Sequence, residues 1–422
     1  MFLLALVVGV PIAFAMVIAG LVAIWVHGGF DPMVAVQQMF AGIDSFPLLA
    51  IPFFILAAEL MSGGALTEVL LHFAARLVGH VRGGLGHTNV LTLTFFSGIS
   101  GSALADVAGP GAMLIRMMRK AGYPPEYAAA LTASTAIVGP IIPPSIIMVI
   151  YALTEPSVSM LGLFLGGVVP GLMISGSLLA VNHWISVRRD YRSTESRASL
   201  AQVLEAFLKA IPALILPFII LGGMHSGVFT PTEASAVAVF YALVVGRFVY
   251  GTLRLHMLPS ILLRTALLTA SILMIVAASE VFGWILTVGQ LPQQVAQWMA
   301  GFRLSPLELL LLINLFLLIA GIFIEPLPGV MILVPILAPL ALAAGIHPLH
   351  FAVVVIVNLT LGMVTPPVGA LLFITSIVSG VPMGKMVREL VPMFGAQIVV
   401  LLLLTLFPAL VTWLPAAFGY IK

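Results

Sequence analysis

The hydrophobic pattern of this chain is long apolar runs separated by short polar breaks. A membrane-crossing helix needs roughly 20 mostly apolar residues, and the sequence offers about nine such runs. That pattern predicts a bundle of membrane helices. One run is interrupted: residues 91–111 read LTLTFFSGISGSALADVAGPG, placing Gly, Ser and one Asp within otherwise apolar sequence. In a soluble domain the stretch would pass as a loop. Irregular backbone at membrane depth is tolerated only where it faces protein or a wet cavity. The longest polar segment, SVRRDYRSTESRASL, carries Arg188, Arg189, Arg192 and Arg197, and reads as a cytoplasmic linker between two halves.

Composition narrows the class. Of 422 residues, 61% are hydrophobic and 8% charged, where soluble domains carry about 25% charged residues. Mean hydropathy is +1.21. A polytopic all-α membrane protein fits. The net charge of +2 is too small to suggest nucleic acid, and the absence of Cys excludes disulfides and thiolate metal sites. The opening MFLLALVVGVPIAFAMVIAG has no charged leader region, and reads as a first membrane helix rather than a signal peptide.

The few positive charges suggest how the interrupted run folds. Arg76 and Arg82 precede it, and Arg116, Arg119 and Lys120 follow it. One straight span over 88–114 would put the two groups on opposite faces. A re-entrant hairpin with its tip near Gly98–Asp106 keeps both inside. The simpler alternative is one long span whose small residues pack against neighbouring helices.

A repeat supports the hairpin. GYPPEYAAALTASTAIVGPIIPPSIIMV (122–149) aligns without a gap on GIHPLHFAVVVIVNLTLGMVTPPVGALL (345–372). At this constant offset of 223, Gly122, Pro125, Gly139, Pro143 and Pro144 fall on Gly345, Pro348, Gly362, Pro366 and Pro367. Upstream, Gly98 falls on Gly321 and Asp106 on Gly329, which makes GIFIEPLPGVMI a second tip. The charges invert: Arg116, Arg119 and Lys120 correspond to Pro339, Leu342 and Ala343, while Lys385 and Arg388 correspond to Gly162 and Leu165. Inverted repeats with interrupted helices are the plan of many secondary transporters, whose sites lie near the midplane. In GPIIPP and GMVTPP the prolines remove amide donors and break each helix. Freed carbonyls can hold Na⁺ and helix N-termini favour anions. An ordinary proline kink is the competing explanation.

Among intramembrane polar groups, Asp106 and Glu325 stand at or beside the tips, where carboxylates are expensive and usually functional. Asp106 could bind a cation or cap the hairpin's second helix. Ser97, Ser100 and Ser102 offer hydroxyls for Na⁺ or a substrate carboxylate, or simply satisfy tip amides. Thr360 and Thr365 hold the corresponding places in the second repeat. Glu59 and Glu280 lie on apolar helices without an evident partner. No Lys or Arg stands at either tip. His27, His80, His87 and His225 sit at segment ends without ligand spacing, so no metal other than Na⁺ is expected. With no P-loop, nucleophile elbow or HExxH, the chain reads as a non-enzyme driven by an ion gradient.

These residues resemble the large membrane subunit of the TRAP (tripartite ATP-independent periplasmic) transporters. The resemblance runs nearly end to end. It is carried by DSFPLLAIPFFILAAELM (44–61), LVGHVRGGLGHTNVL (77–91), FFSGISGSALADVAGPG (95–111), GPIIPPSIIMVIYA (139–152), GGMHSGVFTPTEASAVAVFYAL (222–243), LGMVTPPVGALLF (361–373) and FPALVTWLP (407–415). It implies a Na⁺-driven importer of small organic anions in the bacterial inner membrane, working by an elevator motion of a transport domain against a scaffold. It also implies a separate small membrane subunit and a periplasmic substrate-binding protein as partners.

Carried onto this chain, one sodium site would use Ser100, Gly101, Ser102, Asp106, Gly139 and Pro143. The other would use Glu325, Gly329, Thr360, Gly362, Thr365 and Pro366. Ser97, Ser100, Ser145 and Thr365 are the substrate candidates. Glu233, in TPTEA, matches a family hallmark expected to be structural. Many members have Asn in a TPPVGxN pattern where this chain has Leu371, so substrate class does not transfer. The expected division is repeat one over 1–187, with a hairpin at about 88–118 and a broken helix at about 124–154. A linker and connecting helix follow over 188–230. Repeat two covers 231–422, with a hairpin at about 305–343 and a broken helix at about 346–379. The alternative is a stand-alone Na⁺/carboxylate symporter of the same architecture.

Overall fold

The computed structural model describes residues 1–27, 30–61, 64–193, 196–251, 253–302 and 304–421, which contain helices and turns and no strand. Six described helices are long and apolar enough to cross a membrane, or eight if two bent pairs, at 33–61 and 200–225, each count as one span. Several of the apolar runs break before reaching spanning length. Pro348–Gly362 and Ala370–Ser379 are two short helices, not one span. The N-terminal run breaks too: Phe2–Val7 ends before Gly9 and Pro11, and Ile12–His27 begins anew. Large apolar side chains such as Phe14, Trp25, Phe40, Phe218 and Leu263 lie on the outer surface. On a soluble monomer so much exposed apolar surface would be a liability; against lipid it is the expected exterior.

Burial grades from the outer helices inward. Only seven residues of the 31-residue Leu258–Val288 are buried, whereas Pro125–Ala136 is buried from Tyr127 onward and Pro348–Gly362 from Leu349 onward. These two helices are apolar or small on every side, as a helix surrounded by others must be. Ala, Ser and Thr dominate the first of them, which lets neighbouring backbones come close.

The interrupted run is a hairpin. Gly84–Ser100 descends, the chain turns at Gly101 and Ser102, and Ala103–Asp106 continues through a wider turn at Val107–Gly111 into Ala112–Lys120. The amide of Asn89 on the first arm lies 3.5 Å from the sulfur of Met118 on the second. The arms therefore run back along each other, and the ends bearing Arg82 and Arg119 share one side. In the second half Pro306–Phe323 and Pro326–Ala343 pack together across a joint at Ile324 and Glu325.

Both interrupted helices part where the Gly-x-x-x-Pro-Pro motif stands. Pro125–Ala136 gives way to Ile146–Thr154, and Pro348–Gly362 to Ala370–Ser379; both Pro-Pro bonds are cis. Their far segments are exchanged between the halves. Ile146–Thr154 packs against Pro326–Ala343 of the second hairpin, and Ala370–Ser379 against both Pro125–Ala136 and the first hairpin. The Arg119 guanidinium seals this exchange by donating to the Ser379 carbonyl at 3.0 Å, a cation at a helix C-terminus.

Candidate ion and substrate site

The first break follows from proline chemistry. In an α-helix the carbonyl of residue i accepts from the amide of i+4. For Gly139 and Pro140 those partners are Pro143 and Pro144, which have no N–H. The Pro140 carbonyl is rescued by the Ser145 hydroxyl at 2.5 Å, and Ser145 also accepts from the Met148 amide at 3.3 Å, capping the helix that resumes there. Ser145, a substrate candidate, thus has its hydroxyl committed to the break. Among the described residues no hydrogen bond ends on the Gly139 carbonyl.

The first hairpin tip presses on that break. Gly101 has φ +59°, and a Cβ there would lie 2.6 Å from the Pro144 carbonyl, so the turn admits only glycine. Ser102, not Asp106, caps the hairpin's second arm: its Oγ accepts from the Ala105 amide at 3.4 Å. Asp106 faces inward. It is wholly buried, one carboxylate oxygen accepts from the Ser100 hydroxyl, and the other has no partner among the described residues. Gly139 lies beneath that second oxygen, where a Cβ would come within 2.6 Å of it. Ser100, Gly101, Ser102, Asp106 and Gly139 therefore converge. Pro143 sits to one side, its carbonyl turned towards Gly98. Ser97 is buried, with its hydroxyl returned to the Leu93 carbonyl at 2.7 Å. A buried carboxylate without a cation beside it is costly, and nature resolves that cost by pairing or by metal binding. The donors gathered here are all hard oxygens, the set that suits an alkali or alkaline-earth ion.

The second break is assembled differently. Gly362 lies against Gly321 so closely that a Cβ on it would approach the Gly321 backbone to 2.5 Å. The Gly362 carbonyl accepts from the Thr365 amide at 3.0 Å, and the Met363 carbonyl from the Leu371 amide at 3.0 Å. The side chain of Leu371 is fully buried, so the position that departs from the family pattern packs into the core. Thr360 and Thr365 donate to carbonyls of their own helix, those of Ile356 and Leu361, and Gly329 abuts the Leu359 methyls. Glu325 is exposed at the start of Pro326–Ala343 without capping it, and no hydrogen bond among the described residues joins it to Thr360 or Thr365. Thr365, Pro366 and Pro367 are open to the outside to different degrees, while every residue of the first break from Ile137 to Ser145, except half-buried Ile142, is buried.

Several polar groups escaped the sequence reading. Asn89 donates to Thr132 at 2.7 Å, tying the first hairpin to the first broken helix. Asn314 and Asn358 make the counterpart tie at 2.9 Å, and Asn314 also reaches Thr405 at 2.7 Å. Gln397 donates to the Ser134 carbonyl at 2.8 Å. An amide side chain inside an apolar run was the available signal. Glu233 has a structural place: it closes a capping box with Thr230 at 2.8 Å, one turn into Pro231–Val244. Glu280 backs onto Gly42, beside a pocket of 220 Å³ shared with Ser45 and Thr154. Glu59 is half-buried on Ala50–Met61.

Comparison with known proteins finds relatives of the whole chain. A family model described as "Tripartite ATP-independent periplasmic transporter, DctM component" matches residues 1–410. The sialic acid TRAP transporter large permease protein of Vibrio cholerae is 42% identical over 98% of this chain and 96% of its own. The C4-dicarboxylate TRAP transporter large permease protein of Pseudomonas aeruginosa is 42% identical over 90% and 89%. Among solved structures, the Alcanivorax borkumensis YdaH transporter superposes with a TM-score of 0.61 at 15% identity, over 92% of this chain and 87% of that one, a likeness of fold alone.

Proposed function

The chain belongs to the DctM family of tripartite ATP-independent periplasmic transporters, and on that premise we propose that it imports a small organic anion coupled to Na⁺. Relatives matched nearly end to end are transporter permeases rather than enzymes. The observation that carries the coupling is the buried Asp106 carboxylate, held by Ser100 over Gly139 with one oxygen unpartnered.

In this reading Na⁺ binds among the Asp106 carboxylate, the Ser100 hydroxyl and the Gly139 carbonyl, and fixes the hairpin tip against the break. A second ion is held at Gly362, Thr360 and Thr365, with Glu325 closing over it. The substrate carboxylate is met by the N-terminal ends of Ile146–Thr154 and Ala370–Ser379, which carry partial positive charge, and by the exposed part of Thr365. No Lys or Arg is needed at the tips. The hairpins and broken helices move together past the outer helices as an elevator. A small membrane subunit braces the outer helices, and a periplasmic binding protein delivers the anion. The location is the bacterial inner membrane.

The test is uptake of a panel of organic acids, sialic acid and C4-dicarboxylates included, into proteoliposomes containing the chain and its small partner. Each acid is assayed with and without an inward Na⁺ gradient and with and without a binding protein. Uptake requiring both is expected. Uptake with Na⁺ alone would replace this reading with the stand-alone symporter, and uptake indifferent to Na⁺ would refute the coupling.

A further inference from the structure

Beside the first hairpin tip, and lined by none of Ser100, Asp106 and Gly139, runs a crevice of about 710 Å³. Its back wall includes Gly98 of the tip and Pro143 of the break, and its front is formed by Ile211, Leu214, Pro217 and Leu221 of the bent helix pair at 200–225. Three phenylalanines gather at one end: Phe73 lies 5.5 Å from both Phe95 and Phe207. The lining is apolar apart from Thr94, whose hydroxyl is already bonded to Ser175 at 2.8 Å and to the Val90 carbonyl at 2.7 Å. Small polar ligands are oriented by a few convergent polar groups, and this crevice offers none. Such a lining suits a hydrocarbon.

Length and charge identify which hydrocarbon. Phe207 and Leu221 both line the crevice and stand 14 positions apart, about 21 Å at ~1.5 Å per residue before the bend shortens it. Half a hydrocarbon core is about 15 Å, so the crevice has the reach of one acyl chain in one leaflet. Basic groups cluster at the Phe73 end. Arg76 lies one turn beyond Phe73, with its Nε 3.5 Å from His72, and forms no ion pair among the described residues. Lys209 pairs with Glu205 at 2.7 Å, and the same carboxylate lies in the field of His72 and Arg76. One acid among two permanent cations and a histidine leaves positive charge over. This is the side of Arg82 and of the arginine-rich linker, where anionic headgroups attract juxtamembrane basic residues.

We propose that this crevice is a binding site for one acyl chain of an anionic phospholipid, whose phosphate is held by Arg76 and Lys209. The lipid then packs directly on Gly98 of the tip and Pro143 of the break. The inference rests on the membrane setting of the proposed function, but its readout does not depend on uptake.

The test is native mass spectrometry of the chain purified with its small membrane subunit and titrated with phosphatidylglycerol or phosphatidylethanolamine of identical acyl composition. One phosphatidylglycerol should be retained at least tenfold more tightly than phosphatidylethanolamine. The double variant Arg76→Gln/Lys209→Gln should lose that preference while leaving phosphatidylethanolamine unchanged. Ile211→Trp, which fills the crevice, should weaken both lipids about tenfold. Equal retention of the two lipids by the unaltered protein overturns the proposal without recourse to any variant. So does unchanged lipid binding in Ile211→Trp. The chain has no native Cys, so Leu214→Cys gives a unique cross-linking site. Efficient capture of the small subunit there, with lipid excluded, would assign the crevice to the partner instead.

Discussion

The two hairpin-and-break units share their glycine and proline skeleton yet differ in what they enclose. In the first, a carboxylate is sealed inside: Asp106 is fully buried, bonded by Ser100 and seated on Gly139. In the second, the tight contact is backbone on backbone, Gly321 against Gly362, and the carboxylate of Glu325 stands outside. The same break geometry thus serves as a closed pocket in one half and as an open edge in the other. A pocket already formed around an oxygen suits an ion that must be held tightly. An open edge suits an ion held only once Glu325 closes over it, beside a larger ligand that must enter and leave. Repetition of backbone does not imply repetition of chemistry.

The largest effect should come from the sealed carboxylate. Hydrogen bonds and contacts to a charged group are worth about 1.5–3 kcal/mol, roughly 10–100-fold in affinity. Asp106→Asn should lower Na⁺-coupled uptake by about 100-fold while the protein still inserts, whereas Glu325→Gln should lower it by less than about tenfold. Equal losses in the two variants would dissolve the contrast between pocket and edge.

The glycines sharpen it next. Overpacking a tight contact costs about 1–3 kcal/mol, and both Gly139→Ala and Gly362→Ala should lower the melting temperature in detergent. They should part in Na⁺ titrations. A methyl on Gly139 meets the Asp106 carboxylate at 2.6 Å and should weaken Na⁺ binding roughly tenfold, since ~1.4 kcal/mol is a factor of ten. A methyl on Gly362 meets only backbone and should leave the first ion's affinity intact. A loss of stability of the same order, without a loss of Na⁺ affinity, is expected for Asn358→Leu, which leaves the Asn314 amide oxygen unpaired at a cost of about 1–3 kcal/mol. Glu233→Ala, which opens a cap distant from both units, should cost about 0.5–1 kcal/mol and leave the Na⁺ dependence of uptake unmoved.

Much of this arrangement could be read from residues whose effect is local. Glycine and proline act on their own backbone, so a turn between Gly98 and Asp106 and the breaks at the two Gly-x-x-x-Pro-Pro motifs could be placed from spacing, whereas the approach of tip to break was implied only by the family resemblance. Asp106 drew notice because a carboxylate in an apolar run is costly wherever it points. The partners of Asn89, Asn314 and Gln397 could not be read, because each lies tens to hundreds of residues away. Helices such as Pro125–Ala136, buried all round, carry no stripe to show which neighbour they face. The sequence left Ser102 open between ion or substrate chemistry and satisfying a tip amide, and one rotamer beside Asp106 decides for the cap. Run length did not register where the first run stops for Gly9 and Pro11, whereas the double-proline breaks were legible.

The exchange of far segments between the halves bears on how the protein is made. The contact of Arg119 with Ser379 closes a separation of 260 residues. Synthesis proceeds at about 5–20 residues per second, so the first hairpin waits roughly 13–50 s for the helix that completes it. Until then the wall that Ala370–Ser379 will cover, and the buried polar groups behind it, stand open. Contacts of such high sequence separation also slow folding, because loop closure must precede the gain. The first half is therefore incomplete as a packed unit until Ala370–Ser379 has been made.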